Sequence, residues 1–363
     1  MLYLAFPYEN TKAFCAEIFQ KYGFSREESD FISEVLLRAD LYGIESHGIQ
    51  RLARYHHEII SGMVNVKGAP EIVYETPVSA VINAHKGMGQ LIGKHAMGLA
   101  AAKAKAAGIG MIAVRNSNHY GIAGYYTGMA VESDLMGICM TNTEAIGVPT
   151  FGKRAMFGTN PIALAMPADP VPFSFDAATT VVPRGKLEVY NKNEKPLPDN
   201  WAVDVRGRVC IDAGEVLQNI INKAGGGIAP LGGLGELCGG HKGYGLGVAV
   251  DIFTAVLSGG VTSDHVNTVA GQTDICHYFA AVDYGLFGDK TQIRRKLSEY
   301  LQDLRNSDKA EGENRIYTHG EKEYESMREK LEKGIPVNEK TRQELLNIAA
   351  EQSVDYSAYF PGL

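Results

Sequence analysis

The chain has 363 residues, 45% of them apolar and 21% charged, which is the make-up of a globular protein with room for two or three domains. A formal net charge of -7 argues against a general electrostatic affinity for nucleic acid. Five scattered cysteines, Cys15, Cys139, Cys210, Cys238 and Cys276, suit a reducing cytoplasm better than a disulfide framework.

No basic, then apolar, leader is expected at the N-terminus. Phe14, Ile18, Phe19 and Tyr22 repeat at helical spacing and Gly23 stops them. Ser25 and Glu28 read as a capping box, followed by an apolar stripe of Ile32, Val35, Leu36 and Ala39. A third helix is predicted from Ser46 to Ile60. Residues 80–87 read as a strand, 89–107 as a helix closed by Gly108, 109–116 as a strand, Gly121–Ser133 as a helix and 135–143 as a strand. The Ala-rich run at 96–107 carries lysines and does not read as a membrane span. This alternation predicts an α/β domain. The polar stretch 186–204 reads as a surface loop. Glycines crowd residues 225–247, where tight turns are expected. Residues 289–345 are highly charged and read as mostly helical, with breaks at Gly320 and Pro336 and a solvated charged face.

Two stretches carry candidate chemistry. In "ESHGIQRLARYHHEII" (45–60) a helix from Ser46 puts His47, Arg51 and Tyr55 on one face. The opposite face is apolar and takes His56 as a core histidine, with His57 at the surface. A guanidinium fork fits a carboxylate, an imidazole moves protons near neutral pH, and a phenol bonds a substrate oxygen. The plainer alternative is a solvated helix face. In "RNSNHYGIAGYY" (115–126) His119 stands where a strand turns into a helix. That corner is a common place for a catalytic side chain, and equally for a histidine that only caps the helix.

Glycine-rich candidates for phosphate binding sort differently. "GVPTFGKR" (147–154) lacks the Ser or Thr of a P-loop and has Pro149 in its would-be cradle. The glycines of "GIGMIA" (108–113) precede a strand, where a Rossmann fingerprint must follow one. "GGLGELCGGHKGYGLG" (232–247) is the credible site: free amides and Lys242 stand just before an apolar helix. The alternative there is a solvated lysine in a turn. Cys238 and His241 form a lone CxxH without a partner pair, so no metal is expected. No GxSxG elbow is present.

"ADLYGIESHGIQRLARY", "SNHYGIAGYY", "FGTNPIALAMP", "FDAATT", "NWAVDVRG" and "GGHKGYGLGVAVDI" follow in this order over residues 39–252. Together they resemble the type-2 malate/L-lactate dehydrogenase family, whose members include ureidoglycolate dehydrogenase, sulfolactate dehydrogenase and 2,3-diketogulonate reductase. The resemblance implies an α/β (α+β) fold with a non-Rossmann NAD(P)-binding domain at 76–288. It also implies a mainly helical domain built from both chain ends, 1–75 with 289–363. It implies a cytoplasmic homodimer that interconverts a 2-hydroxy acid and its 2-keto acid with NAD, or alternatively NADP, and that meets neither nucleic acid nor membrane. His119 and His47 are its proton-transfer candidates, His119 as the acid/base and His47 polarising or relaying, with the reverse assignment as the alternative. Ser46, Arg51 and Tyr55 match substrate contacts. Thr143, Asp176-Ala177-Ala178, Lys242-Gly243 and His319-Gly320-Glu321 match cofactor contacts, the last where the family carries Pro-Gly-Glu. Malate is the substrate expected; lactate, ureidoglycolate, sulfolactate and diketogulonate are alternatives. A ligand-binding protein that kept the fold without the chemistry is the rival from another class.

Overall fold

A computed structural model describes residues 3–362. The chain opens with β1 (Tyr3–Phe6), α1 (Tyr8–Lys21) and α2 (Arg26–Leu41). The capping box is formed: the Glu28 amide donates to Ser25 Oγ at 3.2 Å, and the Ser25 amide to Glu28 Oε2 at 2.7 Å. Next come α3 (Leu52–Ile60), β2 (Glu71–Glu75), β3 (Ser79–Asn83), α4 (Gly89–Ala107), β4 (Ile109–Ser117), α5 (Ala123–Glu132) and β5 (Met136–Thr141). α4 has the bounds that the sequence predicts, because Gly108 ends it in the left-handed region at φ +87°. β6 (Ile162–Met166) and β7 (Phe173–Ala177) precede a small unit of α6 (Arg184–Lys192), β8 (Ala202–Val203), α7 (Ala213–Ile221) and β9 (Gly227–Ile228). α8 (Gly240–Asp251) runs on into a π-helical turn at Ile252–Val256. β10 (Ile275–Val282), α9 (Lys290–Asn306), α10 (Glu321–Lys333), β11 (Ile335–Asn338), α11 (Glu339–Glu351) and α12 (Tyr356–Tyr359) follow.

Seven strands form one sheet in the order β2-β3-β4-β10-β5-β6-β7. Within it β3 and β4 run parallel and every other pair is antiparallel. A parallel Rossmann sheet is thus ruled out, and the α/β (α+β) class is borne out. β10 arrives from far along the chain to fill the centre, and all eight of its residues are buried. α4 and α5 cover one face, where Met97, Ala100, Tyr126 and Ala130 join Ile112, Val114, Cys139 and Phe279 in a core. The chain ends meet: β1 pairs with β11, and Phe14, Phe19 and Leu36 share a core with Val337, Leu345 and Phe360. Burying a side chain such as Phe14 or Phe19 stabilises by roughly 1.5–3 kcal/mol each.

One expectation fails within 186–204. Residues 184–192 form α6 instead of loop. Its buried anchor is Leu187 alone, and one anchor on a polar helix leaves no periodic stripe to read.

Candidate active site

The predicted helix from Ser46 is also corrected. Glu45–His47 and Ile49–Arg51 are separate 3₁₀ turns, and the α-helix starts at Leu52. Gly48, at φ -88° and ψ -148°, breaks the register between them. The cause is Asp40, a buried carboxylate on α2. Its Oδ2 accepts the Ile49 amide at 2.6 Å, and a Cβ on Gly48 would meet its Oδ1 at 1.9 Å. Burial pushes the Asp40 carboxyl up to about 7.

This kink folds the motif residues together in another way. The Arg51 Nε–H donates to the Ser46 carbonyl at 2.6 Å, and Ser46 Oγ lies 2.9 Å from His47 Nδ1. Tyr55 does not share a solvated face with them. It is 1% exposed and its hydroxyl reaches His119 Nδ1 at 2.7 Å. The His47 and His119 rings stack with centroids 5.5 Å apart. Ser46, His47, Arg51, Tyr55 and His119 therefore converge, although His119 is 64 positions from Tyr55. His56 is buried and bonds Tyr22 at 2.5 Å, while His57 is exposed, as expected.

The cluster is poor in anions. Burial pushes His47 down to about 4, and Arg51 and Arg54 push the same way. Burial holds His119 well below the ordinary histidine range, with Arg54, His47 and Arg51 adding to it. Both rings are neutral at neutral pH. Arg51 makes no ion pair among the described residues, and burial followed by Arg54 lowers its affinity for its proton. Arg54 bonds Glu58 through Nε at 2.7 Å, and its other two guanidinium nitrogens have no hydrogen-bond partner among the described residues. Arg51 is the guanidinium here that lacks an anionic partner among the described residues.

The second set of sequence candidates lies along one run of contacts. Thr143 Oγ1 accepts the Thr159 amide at 2.9 Å, and the Thr179 amide donates to the Thr159 carbonyl at 2.8 Å. The Leu231 amide donates to the Thr179 carbonyl at 2.8 Å, and Gly243 presses its backbone against Leu231. Lys242 belongs to the first turn of α8 rather than to the loop before it, a correction of the expected helix start. Its side chain is exposed and makes no ion pair among the described residues. Asp176, just ahead of Ala177 and Ala178, accepts the Gly124 amide at 2.7 Å, which ties this run to the start of α5 behind His119. The His319 carbonyl accepts the Ser174 amide at 3.1 Å, so the turn through Gly320 lies on the β7 edge. The Glu321 carboxylate is taken up by Arg315 at 3.0 Å and the Thr318 amide at 2.5 Å.

Sequence reading did not single out the residues that brace these segments. Asn160, at φ +38°, donates to the Gly247 carbonyl and to Asp251 Oδ2, each at 3.0 Å. Its Oδ1 accepts the Thr143 amide and Ser263 Oγ, each at 3.1 Å. Asn142 donates to the Val261 carbonyl at 2.9 Å and accepts the Cys276 amide at 2.8 Å. Under His119, His277 is wholly buried between Thr141 Oγ1 at 2.8 Å and Ser117 Oγ at 3.0 Å, and burial pushes it down to about 3. The available signal was asparagine inside apolar strand ends, at Thr141-Asn142-Thr143 and Gly158-Thr159-Asn160-Pro161.

Residues 6–346 match the pattern of the family described as malate/L-lactate dehydrogenase. A malate dehydrogenase of Pyrococcus abyssi is 43% identical over 97% of this chain and 96% of its own. An L-sulfolactate dehydrogenase of Methanocaldococcus jannaschii is 36% identical over 97% and 98%. The crystal structure of malate dehydrogenase from Entamoeba histolytica superposes with a TM-score of 0.93 at 34% identity, covering 98% of this chain and 99% of that one.

Proposed function

The chain belongs to the malate/L-lactate dehydrogenase family and is a 2-hydroxy-acid dehydrogenase, and from that premise we propose that it interconverts malate and oxaloacetate with NAD, ahead of NADP. The observation that carries the choice of substrate is the pair of guanidiniums, Arg51 and Arg54, acting on the two imidazoles. Malate has two carboxylates. Arg51 takes the one beside the carbinol carbon, and Arg54, through its unpartnered nitrogens, takes the distal one. Lactate would leave those two nitrogens of Arg54 without an anion, since Glu58 holds the Nε alone. Ser46 and Tyr55 complete the substrate contacts.

The family implies a nicotinamide cofactor, which when bound supplies the hydride acceptor. The residues here fit a dinucleotide. α8 starts after Gly239 without a side-chain cap, and this helix start with the Lys242 ammonium suits a pyrophosphate. Thr143, Asp176 to Ala178, Gly243 and the His319–Glu321 turn are the other contacts in this reading. Asp176 is the acid of this set not already paired with a cation, and an acid suits a free ribose hydroxyl better than a 2′-phosphate.

Neutral His119 accepts the substrate hydroxyl proton at Nε2, and His47 polarises the same oxygen or relays its proton. Arg51 fixes the carbon in place, which converts binding into orientation. In the reverse direction the incoming dianion raises the pKa of His119, since an opposite charge favours the imidazolium. The ring then returns the proton to the keto oxygen.

The same reading places the protein in the cytoplasm as a homodimer, with domains at 1–75, 76–288 and 289–363. Four of the five free cysteines are buried, and no helix among the described residues is long and apolar enough to cross a membrane. Leu246, Ile252, Phe253, Val256 and Leu257 expose a continuous apolar stretch of α8 and its π turn, as a subunit interface would.

Nicotinamide absorbance followed with oxaloacetate, pyruvate and the keto acid of sulfolactate tests the substrate. Arg54→Gln should lower kcat/KM for oxaloacetate about ten- to a hundredfold and leave pyruvate unchanged. A wild-type preference for pyruvate would overturn the malate reading.

A further inference from the structure

His277 sits on β10, the strand between β4 and β5, and is wholly buried. A phenylalanine would fill the same place without the cost of burying two ring nitrogens, so the partners of those nitrogens are informative. Nε2 lies 3.2 Å from the Asn118 carbonyl, which belongs to the peptide that carries the His119 amide, and 3.0 Å from Ser117 Oγ. Tyr120, on the other side of His119, stacks its ring on the imidazole at 4.3 Å between centroids and 12° between planes. Nδ1 lies 2.8 Å from Thr141 Oγ1, at the end of β5 just ahead of Asn142 and Thr143. A carbonyl can only accept, so the bond to Asn118 places the hydrogen of the neutral ring on Nε2, and Nδ1 accepts from the Thr141 hydroxyl. The backbone is shaped for these contacts. His277 pairs with Thr141 in the ladder, while β4 uses one residue more than β10 between Val114 and Ser117, with Asn116 there at φ +55°. Such a bulge re-aims the chain beyond it.

We propose that His277 is a positioning residue for hydride transfer, a neutral imidazole that spans the interval between the peptide carrying His119 and the strand end carrying Thr143. That role rests on the reading of His119 as the acid/base and of Thr143 as a cofactor contact. Hydride transfer needs the proton acceptor, the carbinol carbon and the nicotinamide aligned at the same moment. The first comes from the end of β4 and a hold on the last from the end of β5, and these two strands are not neighbours in the sheet. The imidazole joins them through side-chain bonds where the ladder stops. Asn118 is anchored separately through its side chain, whose Nδ2 donates to the Lys86 and Gly87 carbonyls at 2.7 and 3.0 Å. What His277 adds is the setting of the peptide between Asn118 and His119. Burial, which pushes the ring down to about 3, keeps it in the one-hydrogen form that serves both ends.

Two substitutions separate the ends of the ring. Glutamine carries an amide N–H as many bonds from Cβ as Nε2, and asparagine offers a polar atom only at the place of Nδ1. His277→Asn should therefore lower kcat for malate oxidation roughly ten- to a hundredfold, the effect of a small misplacement at the reacting centre, with KM and dinucleotide Kd nearly unchanged. His277→Gln, which keeps a donor for the Asn118 carbonyl, should recover most of that loss. Thr141→Val breaks the connection at its other end. Its loss in kcat should not multiply with that of His277→Asn, because either change breaks the same connection. Lowered unfolding temperatures with wild-type kcat in both His277 variants would make the ring a packing residue and overturn the proposal, as would losses that multiply. Should the His277 variants not fold, Thr141→Val and the wild-type protein still decide. In protein labelled with ¹⁵N-histidine, the ring whose Nδ1 signal moves on Thr141→Val should be protonated at Nε2 and bare at Nδ1. The opposite tautomer, or wild-type kcat in Thr141→Val, overturns the proposal. The two readings beneath it fail separately: the acid/base if His119→Ala keeps its turnover, the cofactor contact if Thr143→Val leaves dinucleotide Kd unmoved.

Discussion

The Tyr55 hydroxyl lies 2.7 Å from Nδ1 of His119, which joins the helix after the Ser-His-Gly turn to the corner between β4 and α5. The bond engages Nδ1 and leaves Nε2 without a hydrogen-bond partner among the described residues. Tyr55→Phe keeps the aromatic volume and removes only the hydroxyl. Turnover should fall about tenfold or more, the value of one hydrogen bond in a buried site, while cofactor Kd stays at the wild-type value. Unchanged turnover would show that the ring is held by packing alone.

His119→Ala should lose about two to four orders of magnitude in turnover, the usual size of general acid–base catalysis. His47→Ala should lose less. Equal or inverted losses would favour the reverse assignment. The pH dependence follows from the lowered pKa of His119. Oxidation needs the neutral ring, and a ring with a depressed pKa stays neutral below the ordinary value of about 6.5. So kcat/KM for malate should hold as pH falls through that value and drop only further down. Reduction needs the imidazolium and should improve as pH falls. An acid limb for oxidation centred on the ordinary histidine value would contradict the buried, positively flanked ring.

Much of this arrangement was legible before any coordinates. Helix α4 was read over 89–107 with Gly108 as its stop, and α2 through its Ser25 and Glu28 capping box and the apolar stripe after it. His119 was marked by the change of pattern around it. The convergence of His47 with His119 came from motif resemblance, since nothing local pairs residues so far apart. The kink at Gly48 was not legible, because its cause, the Asp40 carboxylate, sits eight positions earlier on a different helix.

Arg51 offers a planar fork, and its Nε already holds the Ser46 carbonyl at 2.6 Å. Arg51→Lys keeps the charge and loses both that brace and the two-pronged grip. The specificity constant for oxaloacetate should fall while dinucleotide Kd is unmoved, as read by steady-state kinetics beside a binding titration. An unchanged specificity constant for every active keto acid would remove Arg51 from the site.

Asn160 ties Thr143, Gly247, Asp251 and Ser263 into one buried network. Asn160→Ala leaves several of these groups unpaired, at about 1–3 kcal/mol for each such group. Thermal unfolding should shift downward, and dinucleotide affinity should weaken because the Thr143 amide loses its anchor. A variant as stable as wild type with the same cofactor Kd would mean that water replaces the asparagine without loss.

Lys242 lies on the first turn of α8, exposed, beside amides that no side chain caps. Both the helix dipole and the ammonium favour an anion there. Lys242→Ala removes a point charge and leaves the backbone in place, so the dinucleotide should weaken while substrate handling suffers less. The expected loss is about 1–3 kcal/mol, that of a charge-assisted hydrogen bond, or up to roughly a hundredfold in Kd. Salt gives an independent reading. Exposed charge contacts are screened, so added salt should weaken wild-type binding more than that of the variant. Calorimetric titration of both proteins at two ionic strengths measures the two effects together. If Kd and its salt dependence stay at wild-type values, Lys242 is only a solvated lysine at the start of a helix.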